Sequence, residues 1–188
     1  MTTQEVPIDD LTEASLKILE VASELFYRHG IHAVGVDTIA EESGVTKRTL
    51  YNNFGSKDAL VSTYLSNRHS AWWQRLEDRI AALDAPRALA FFDVYADEGD
   101  TVTRGCAFLN AAAELPRGHA AFDVVVYHKR SIEERLAELI AEDLPDAADP
   151  QRLARHVFLL LEGAFVHQGI HGDELMVQAR EIARDLLT

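Results

Sequence analysis

IAEESGVTKRTLYNNFGSK, residues 39–57, reads as two short helices joined by a glycine turn, and this reading decides the fold. Ala40 has a side chain small enough for two helices to cross closely. Gly44, four residues later, can take the left-handed backbone that ends the first helix. Leu50 falls where it turns inward and holds the second helix against the first. Thr46 is placed to cap that second helix, its hydroxyl accepting a free backbone N–H of the first turn. The face left outward carries Lys47, Arg48, Thr49, Tyr51, Asn52 and Asn53, cations and hydrogen-bonding groups suited to phosphates and base edges. The motif is a helix-turn-helix.

Charge is distributed in the same sense. The chain has 18 Lys+Arg against 31 Asp+Glu, a net charge of -13, so the molecule as a whole does not attract a polyanion. Between Gly44 and Lys57, however, stand three cations and no carboxylate. A chain that repels DNA except at one basic patch binds in one orientation and with strong salt dependence.

The flanking segments extend the pattern. Before the motif runs ILEVASELFYRHG, with Ile18, Leu19, Ala22, Leu25 and Phe26 on one helical face and Gly30 ending the helix. After it comes FGSKDAL, where Ser56 can cap a long helix and Asp58 sits in its first turn. The order of a helix with a Leu-Phe pair, a glycine, IA-x-x-x-GV, TLY-x-x-F and SK-x-x-L resembles the TetR/AcrR family of bacterial transcriptional regulators. The resemblance covers residues 16–65, just over a quarter of the chain.

It implies an all-α protein: a three-helix DNA-binding head, then a helical body that binds a small effector and pairs with a second subunit. The division it suggests is an acidic tail over residues 1–12, a head over 13–57 and an effector and dimerisation region over 58–188. Position by position, Thr46, Lys47, Arg48, Thr49, Tyr51 and Asn53 fall where such regulators face the major groove, and Lys57 falls on a phosphate-contacting lysine. Leu50 and Phe54 match positions that pack inward. The implied function is a repressor released from a palindromic operator by a small molecule, in the cytoplasm. The alternative is a helical interaction module, or a small-molecule binder with no DNA-binding role.

Two positions depart from the family pattern. Relatives place a Thr or Ser near Val34 and Gly35 to start the second helix. Here Asp37 is the nearby capping candidate, and because its carboxylate repels a phosphate, that contact falls to Thr38 or to main-chain N–H groups. Residues 1–10 carry Glu5, Asp9 and Asp10 with no Lys or Arg, which argues against a minor-groove arm.

Composition bounds the rest. A chain of 188 residues with 47% hydrophobic content can bury a real core in one large or two small domains. Its single cysteine, Cys106, excludes an internal disulfide framework and suits a reducing compartment. No apolar run approaches the roughly 20 residues needed to span a bilayer, and the acidic start is unlike a signal peptide. There is no Gly-rich phosphate loop, GxSxG or HExxH, and no nucleophile beside its base, so the sequence offers no enzyme chemistry and no cofactor site.

Beyond the motif the periodicity predicts helices over 56–82, 86–97, 104–113, 119–143, 150–168 and 173–187, punctuated by prolines and glycines. Leu153, Val157, Leu160, Leu161 and Ala164 recur at spacings of three and four, as do Leu175, Ala179, Ile182, Leu186 and Leu187. In a monomer such stripes are core. The resemblance adds that these two helices pair with their symmetry mates, giving Val157, Leu160, Leu161, Ala164, Ala179, Ile182 and Leu186 as a dimer interface.

An effector pocket is expected among the middle helices, with aromatics and a few polar groups. Candidates are Trp72, Trp73, Phe91, Phe92, Tyr95, Phe108, Asn110, Tyr127, His128, Glu162 and Phe165; packing in the core is the alternative for each. Asn110 and Glu114, spaced i, i+4 in an otherwise small and apolar helix, either bond to neighbouring helix ends or face a cavity. His167 and His171 have metal-pair spacing, but Gly169 and Gly172 suggest that the helix ends there, so no metal site is assigned. Cys106 reads as a packed side chain, with a redox role open if Arg104 stabilised its thiolate.

Overall fold

A computed structural model describes residues 12–97, 104–172 and 174–188. The acidic residues of the tail, Gly99 and Asp173 lie outside the described residues. Among the described residues the regular structure is helical throughout: α1 (Glu13–His29), α2 (Val36–Ser43), α3 (Lys47–Phe54), α4 (Lys57–Ala81), α5 (Ala90–Asp97), α6 (Ala107–Glu114), α7 (Ala120–Asp143), α8 (Pro150–His171) and α9 (Glu174–Leu186). The segment expected as one helix over 86–97 divides into a 3-10 turn, Arg87–Leu89, followed by α5. Helix α8 does not stop at Gln168. It runs past Gly169 to His171, where Gly172 at φ 70° caps it by donating to the Gln168 carbonyl.

The described chain groups into two compact units. The first comprises residues 12–70 with 107–126, the second residues 71–97, 104–106, 127–172 and 174–188. In the first unit, Ile18, Leu19, Ala22, Leu25 and Phe26 of α1 form the predicted buried stripe, joined by Ile39 and Ala40 of α2, Leu50 and Phe54 of α3, and Leu60, Val61, Tyr64 and Leu65 of α4. The rings of Phe26 and Tyr64 lie 5.8 Å apart in a tilted contact. Phe108 and Ala111 of α6, and Ala121 and Val125 of α7, are also buried in this unit. A stretch 82 residues from the α1 turn in sequence is thus tied to it, through His32 and Glu114.

In the second unit the core is formed by Trp72 and Leu76 of α4, Phe91, Phe92 and Tyr95 of α5, Ile132, Leu136 and Leu139 of α7, and the inner faces of α8 and α9. Arginine pairs tie these helices together. Arg135 binds the Glu77 carboxylate through two nitrogens at 3.0 and 2.9 Å, and Arg180 reaches Asp93 at 2.7 Å.

The C-terminal helices correct the expected interface. Val157, Leu161, Ala164 and Ala179 are buried within the chain itself, so these stripes are its own core. Leu160 is half-buried. The apolar side chains left outside are Leu159 (67% exposed), Val166 and Ile170 (75%) on α8, and Val177, Ile182 and Leu186 on α9. Residues 159, 166 and 170 are spaced by seven and four, on a face offset by two residues, about 200°, from the buried row. Periodicity identifies a buried face but not what covers it, and here the more regular row is covered by the rest of the same chain.

Candidate nucleic-acid interface

The helix-turn-helix is built by its caps. Gly44 at φ 66° and ψ 26° ends α2; its N–H bonds the Glu41 carbonyl at 3.1 Å and that of Val45 bonds the Ala40 carbonyl at 3.0 Å. This crossed pair of bonds satisfies carbonyls the helix end leaves open, and it needs the positive φ that glycine adopts without strain. Ser43, fully buried at the crossing, is satisfied by donating to the Ile39 carbonyl at 2.6 Å. Thr46 caps α3 as expected, its Oγ1 accepting from the Thr49 N–H at 3.1 Å and bonding the Thr49 hydroxyl at 2.9 Å. Ser56 accepts from the Ala59 N–H at 3.0 Å and starts α4. Leu50 is wholly buried, which fixes the rotation of α3 and leaves Lys47, Arg48, Tyr51 and Asn52 exposed. Thr38 is exposed on α2.

Three positions differ from their sequence reading. Asp37 does not cap α2. The cap is Gly35, with no side-chain hydrogen bond, and Asp37 instead pairs with Lys47 across the motif. The patch that has no acid in sequence therefore has one in space. Asn53 is turned inward: its Oδ1 accepts from the Ser15 hydroxyl at 2.6 Å and from Thr12 at 3.3 Å, while its Nδ2 donates to the Thr49 carbonyl at 2.7 Å. Its amide clasps α3 to the start of α1, where Thr12 also caps α1. Lys57 is half-buried, with Nζ donating to the Ile31 carbonyl at 2.6 Å and lying 5.9 Å from the Phe26 ring centroid. Desolvation pulls its pKa below the usual lysine value, against the opposing influence of Asp58 and Glu114.

The effector candidates divide between the two units. Phe108 and the half-buried Asn110 belong to the first, whereas Trp73, Phe92, Tyr95, Tyr127, His128, Glu162 and Phe165 belong to the second. Within the second, Trp72 packs edge-on against Tyr95 and His128, with centroids 5.5 and 5.3 Å away, and Tyr95 packs edge-on against Phe165 at 4.5 Å. The Tyr95 hydroxyl donates to Glu162 at 2.9 Å. Lys129, which the sequence reading missed, binds both Glu162 oxygens at 2.6 and 2.7 Å and approaches the Cys106 sulfur at 3.4 Å. No local spacing reveals this pair, because Lys129 and Glu162 stand 33 residues apart on different helices. Lys129 is thus a cation placed at Cys106. Tyr127, by contrast, is 61% exposed. Phe92 is fully buried.

A separate groove of about 350 Å³ is lined by Arg130, Glu133, Glu134, Ala137, Gln151 and Arg155; none of the effector candidates lines it. Among the described residues no group of three or more His, Cys, Asp or Glu side chains is placed to hold a metal ion, and no helix is long and apolar enough to cross a membrane.

A short helix held by Thr46, Leu50 and a glycine turn, with a polar face exposed, defines a helix-turn-helix DNA-binding protein. Comparison with known proteins agrees. Residues 18–63 match the model of the bacterial regulatory proteins of the tetR family. The chain is 27% identical over 169 residues to the HTH-type transcriptional regulator TtgR of Pseudomonas putida, covering 82% of this chain and 80% of that one. It is 38% identical over 90 residues to MftR of Mycobacterium tuberculosis, a transcriptional regulator named for mycofactocin biosynthesis, a match spanning 45% of this chain and 44% of that one. Its fold is similar to that of SCO4454, a TetR-family transcriptional regulator from Streptomyces coelicolor, with a TM-score of 0.87, 29% identity and coverage of 94% and 89% of the two chains. The chain carries a tetR-family regulatory domain over residues 18–63, is similar over most of its length to TetR-family regulators, and is a DNA-binding transcriptional regulator.

Proposed function

We propose that this regulator is a cytoplasmic homodimeric repressor, without enzymatic activity, that grips a palindromic operator and releases it when a small molecule binds. Residues 13–57 read as the DNA-binding region and 58–188 as the effector and dimerisation region. The observation that carries the reading is the α3 surface, where Arg48 and Tyr51 are exposed on a helix whose inner face is locked by Leu50. Arg48, Tyr51 and Asn52 then read bases. Thr46, Lys47, Thr49 and the uncapped first turn of α2 with Thr38 approach phosphates. Asn53 is assigned to holding α3 in place, and Lys57 to holding the turn before α2.

A twofold dimer places the two α3 helices about 34 Å apart, one turn of B-DNA. The outer row of Leu159, Val166, Ile170, Ile182 and Leu186 supplies an apolar surface for such pairing. The effector site is assigned to the Trp72, Tyr95, His128 and Phe165 cluster with Glu162 and Lys129 as its polar groups. A ligand there releases DNA only to the extent that it prefers the arrangement that does not fit the operator.

In vitro selection from a random duplex library tests the reading. An inverted repeat with half-site centres about one helical turn apart is expected. For its association constant, log K against log salt should have a slope of roughly -0.9 per phosphate neutralised. Lys47→Ala should flatten that slope, whereas Tyr51→Ala should alter preference among sequences. Failure to enrich any duplex, or an affinity indifferent to both substitutions, rejects the assignment of α3.

A further inference from the structure

The turn between α1 and α2 is held from a distance. Gly30 ends α1 at φ 90°, a backbone conformation that favours glycine, and a Cβ placed there would lie 2.9 Å from the Glu114 Oε1 atom, so any larger residue would displace the carboxylate at the end of α6. The other carboxylate oxygen, Oε2, accepts the His32 backbone N–H at 2.8 Å. The His32 ring Nε2 in turn donates to the Glu114 main-chain carbonyl at 2.7 Å. Between these bonds, Lys57 holds the Ile31 carbonyl. Three successive residues of the turn are thereby fixed by one residue of α6 and one of α4, all within the first unit. The turn determines where α2 begins, and the fully buried Ile39 of α2 sets the seat of α3.

We propose that Glu114 is a positioning residue for operator recognition: it holds the Gly30–His32 turn so that α2 and α3 meet DNA in one orientation, and loosening its grip is a means of lowering operator affinity without touching the DNA-reading face. This rests on the operator-binding reading above. Of the two readings the sequence offers for Glu114, its bonds to His32 just past the end of α1 match the first. It also makes a prediction opposite in sign to simple electrostatics. Removing an acidic side chain from a DNA-binding unit strengthens attraction to any DNA, whereas losing the clasp weakens binding to the selected site alone.

The test compares Glu114→Ala with Glu114→Gln. Both lose the charge, but the glutamine amide keeps an oxygen able to accept the His32 N–H. Affinities for the duplex selected by the wild-type protein and for a random-sequence duplex are measured by fluorescence anisotropy at one salt concentration, with melting temperatures from circular dichroism. Glu114→Ala should bind the selected duplex about tenfold or more weakly, while Glu114→Gln stays within about threefold of wild type. Binding to the random duplex should hold or tighten in both.

The proposal is overturned if Glu114→Ala binds both duplexes more tightly, if glutamine fails to rescue, or if the loss matches the unfolded fraction alone. Native-state hydrogen exchange provides a readout independent of any operator. The His32 amide and the amides of α2 should exchange faster in Glu114→Ala and at near-wild-type rates in Glu114→Gln. Unchanged exchange in Glu114→Ala overturns the clasp, whereas failure to select any duplex counts against the operator reading and leaves this measurement to decide the clasp.

Discussion

Placing a glutamate at Leu161 or at Ile170, nine residues apart on α8, should produce two different failures. Leu161 is fully buried in the chain. Its replacement loses about 1.5–3 kcal/mol of apolar transfer and leaves a carboxylate without a partner in the core, which costs several kcal/mol more even after the group takes up a proton. The combined cost, above about 4–5 kcal/mol, is a large part of the 5–15 kcal/mol that stabilises an ordinary domain. Ile170 is 75% exposed, so in an isolated chain the same change falls within about 0.5 kcal/mol of neutral. In a twofold dimer it acts twice. Each copy forfeits about 1–2 kcal/mol of burial, and two carboxylates must be desolvated, so dissociation should strengthen by about two orders of magnitude or more. Sedimentation velocity and thermal melting on the two variants read the difference. Leu161→Glu should be unfolded or melt far below wild type, and Ile170→Glu should be a helical monomer with a nearly normal unfolding profile at low concentration. A Leu161→Glu protein that melts like wild type would refute the burial argument. An Ile170→Glu protein that sediments as the wild-type dimer would remove the outer row from the interface, and a wild-type monomer at micromolar concentration would remove the dimer.

Asn53→Ala should lower stability by about 1–3 kcal/mol through loss of its bonds to Ser15, Thr12 and Thr49; calorimetry should show the drop, and a changed operator preference at unchanged stability would return Asn53 to the DNA face. Thr46→Ala should cost about 1 kcal/mol and Thr46→Ser little, since serine keeps the capping oxygen; equal melting temperatures for all three proteins would contradict the cap. Glu162→Leu alone should destabilise by about 3–5 kcal/mol because it strands Lys129, whereas Lys129→Met combined with Glu162→Leu should recover much of the loss. A double variant no better than the single one would show that the pair is not the source of the effect.

What could be read from sequence was local. The caps at Thr46 and Ser56, the glycine at 44 and the inward Leu50 all lie within a few residues of the groups they satisfy, so spacing alone locates them. The bond from Ser15 to Asn53 spans 38 residues and that from His32 to Glu114 spans 82, and no periodicity encodes either. For that reason Asn53 reads as one more polar residue on an exposed face, and Glu114 reads equally well as a helix tie or a cavity group. The C-terminal helices show a different limit. Their hydrophobic spacing is correct about burial and silent about the identity of the covering surface, so the inner row was assigned to a partner that the chain itself replaces. The exposure of Tyr127 shows a related limit, since aromatic character does not determine which side of a 24-residue helix faces in.

Asp37 bears on how such a protein searches a genome. Its carboxylate occupies the place beside Lys47 that a phosphate would take, an internal stand-in for the polyanion. An exposed pair of this kind is weak, about 0.2–1 kcal/mol, so a well-fitted site displaces it easily. An ill-fitted stretch of duplex gains less from Lys47, because every encounter must first exchange one anion for another. With Lys47 facing DNA as proposed above, this exchange and the net charge of -13 would shorten each residence on arbitrary DNA. Travel between distant segments is then favoured over sliding along one, and occupancy is reserved for sequences that offer more than charge.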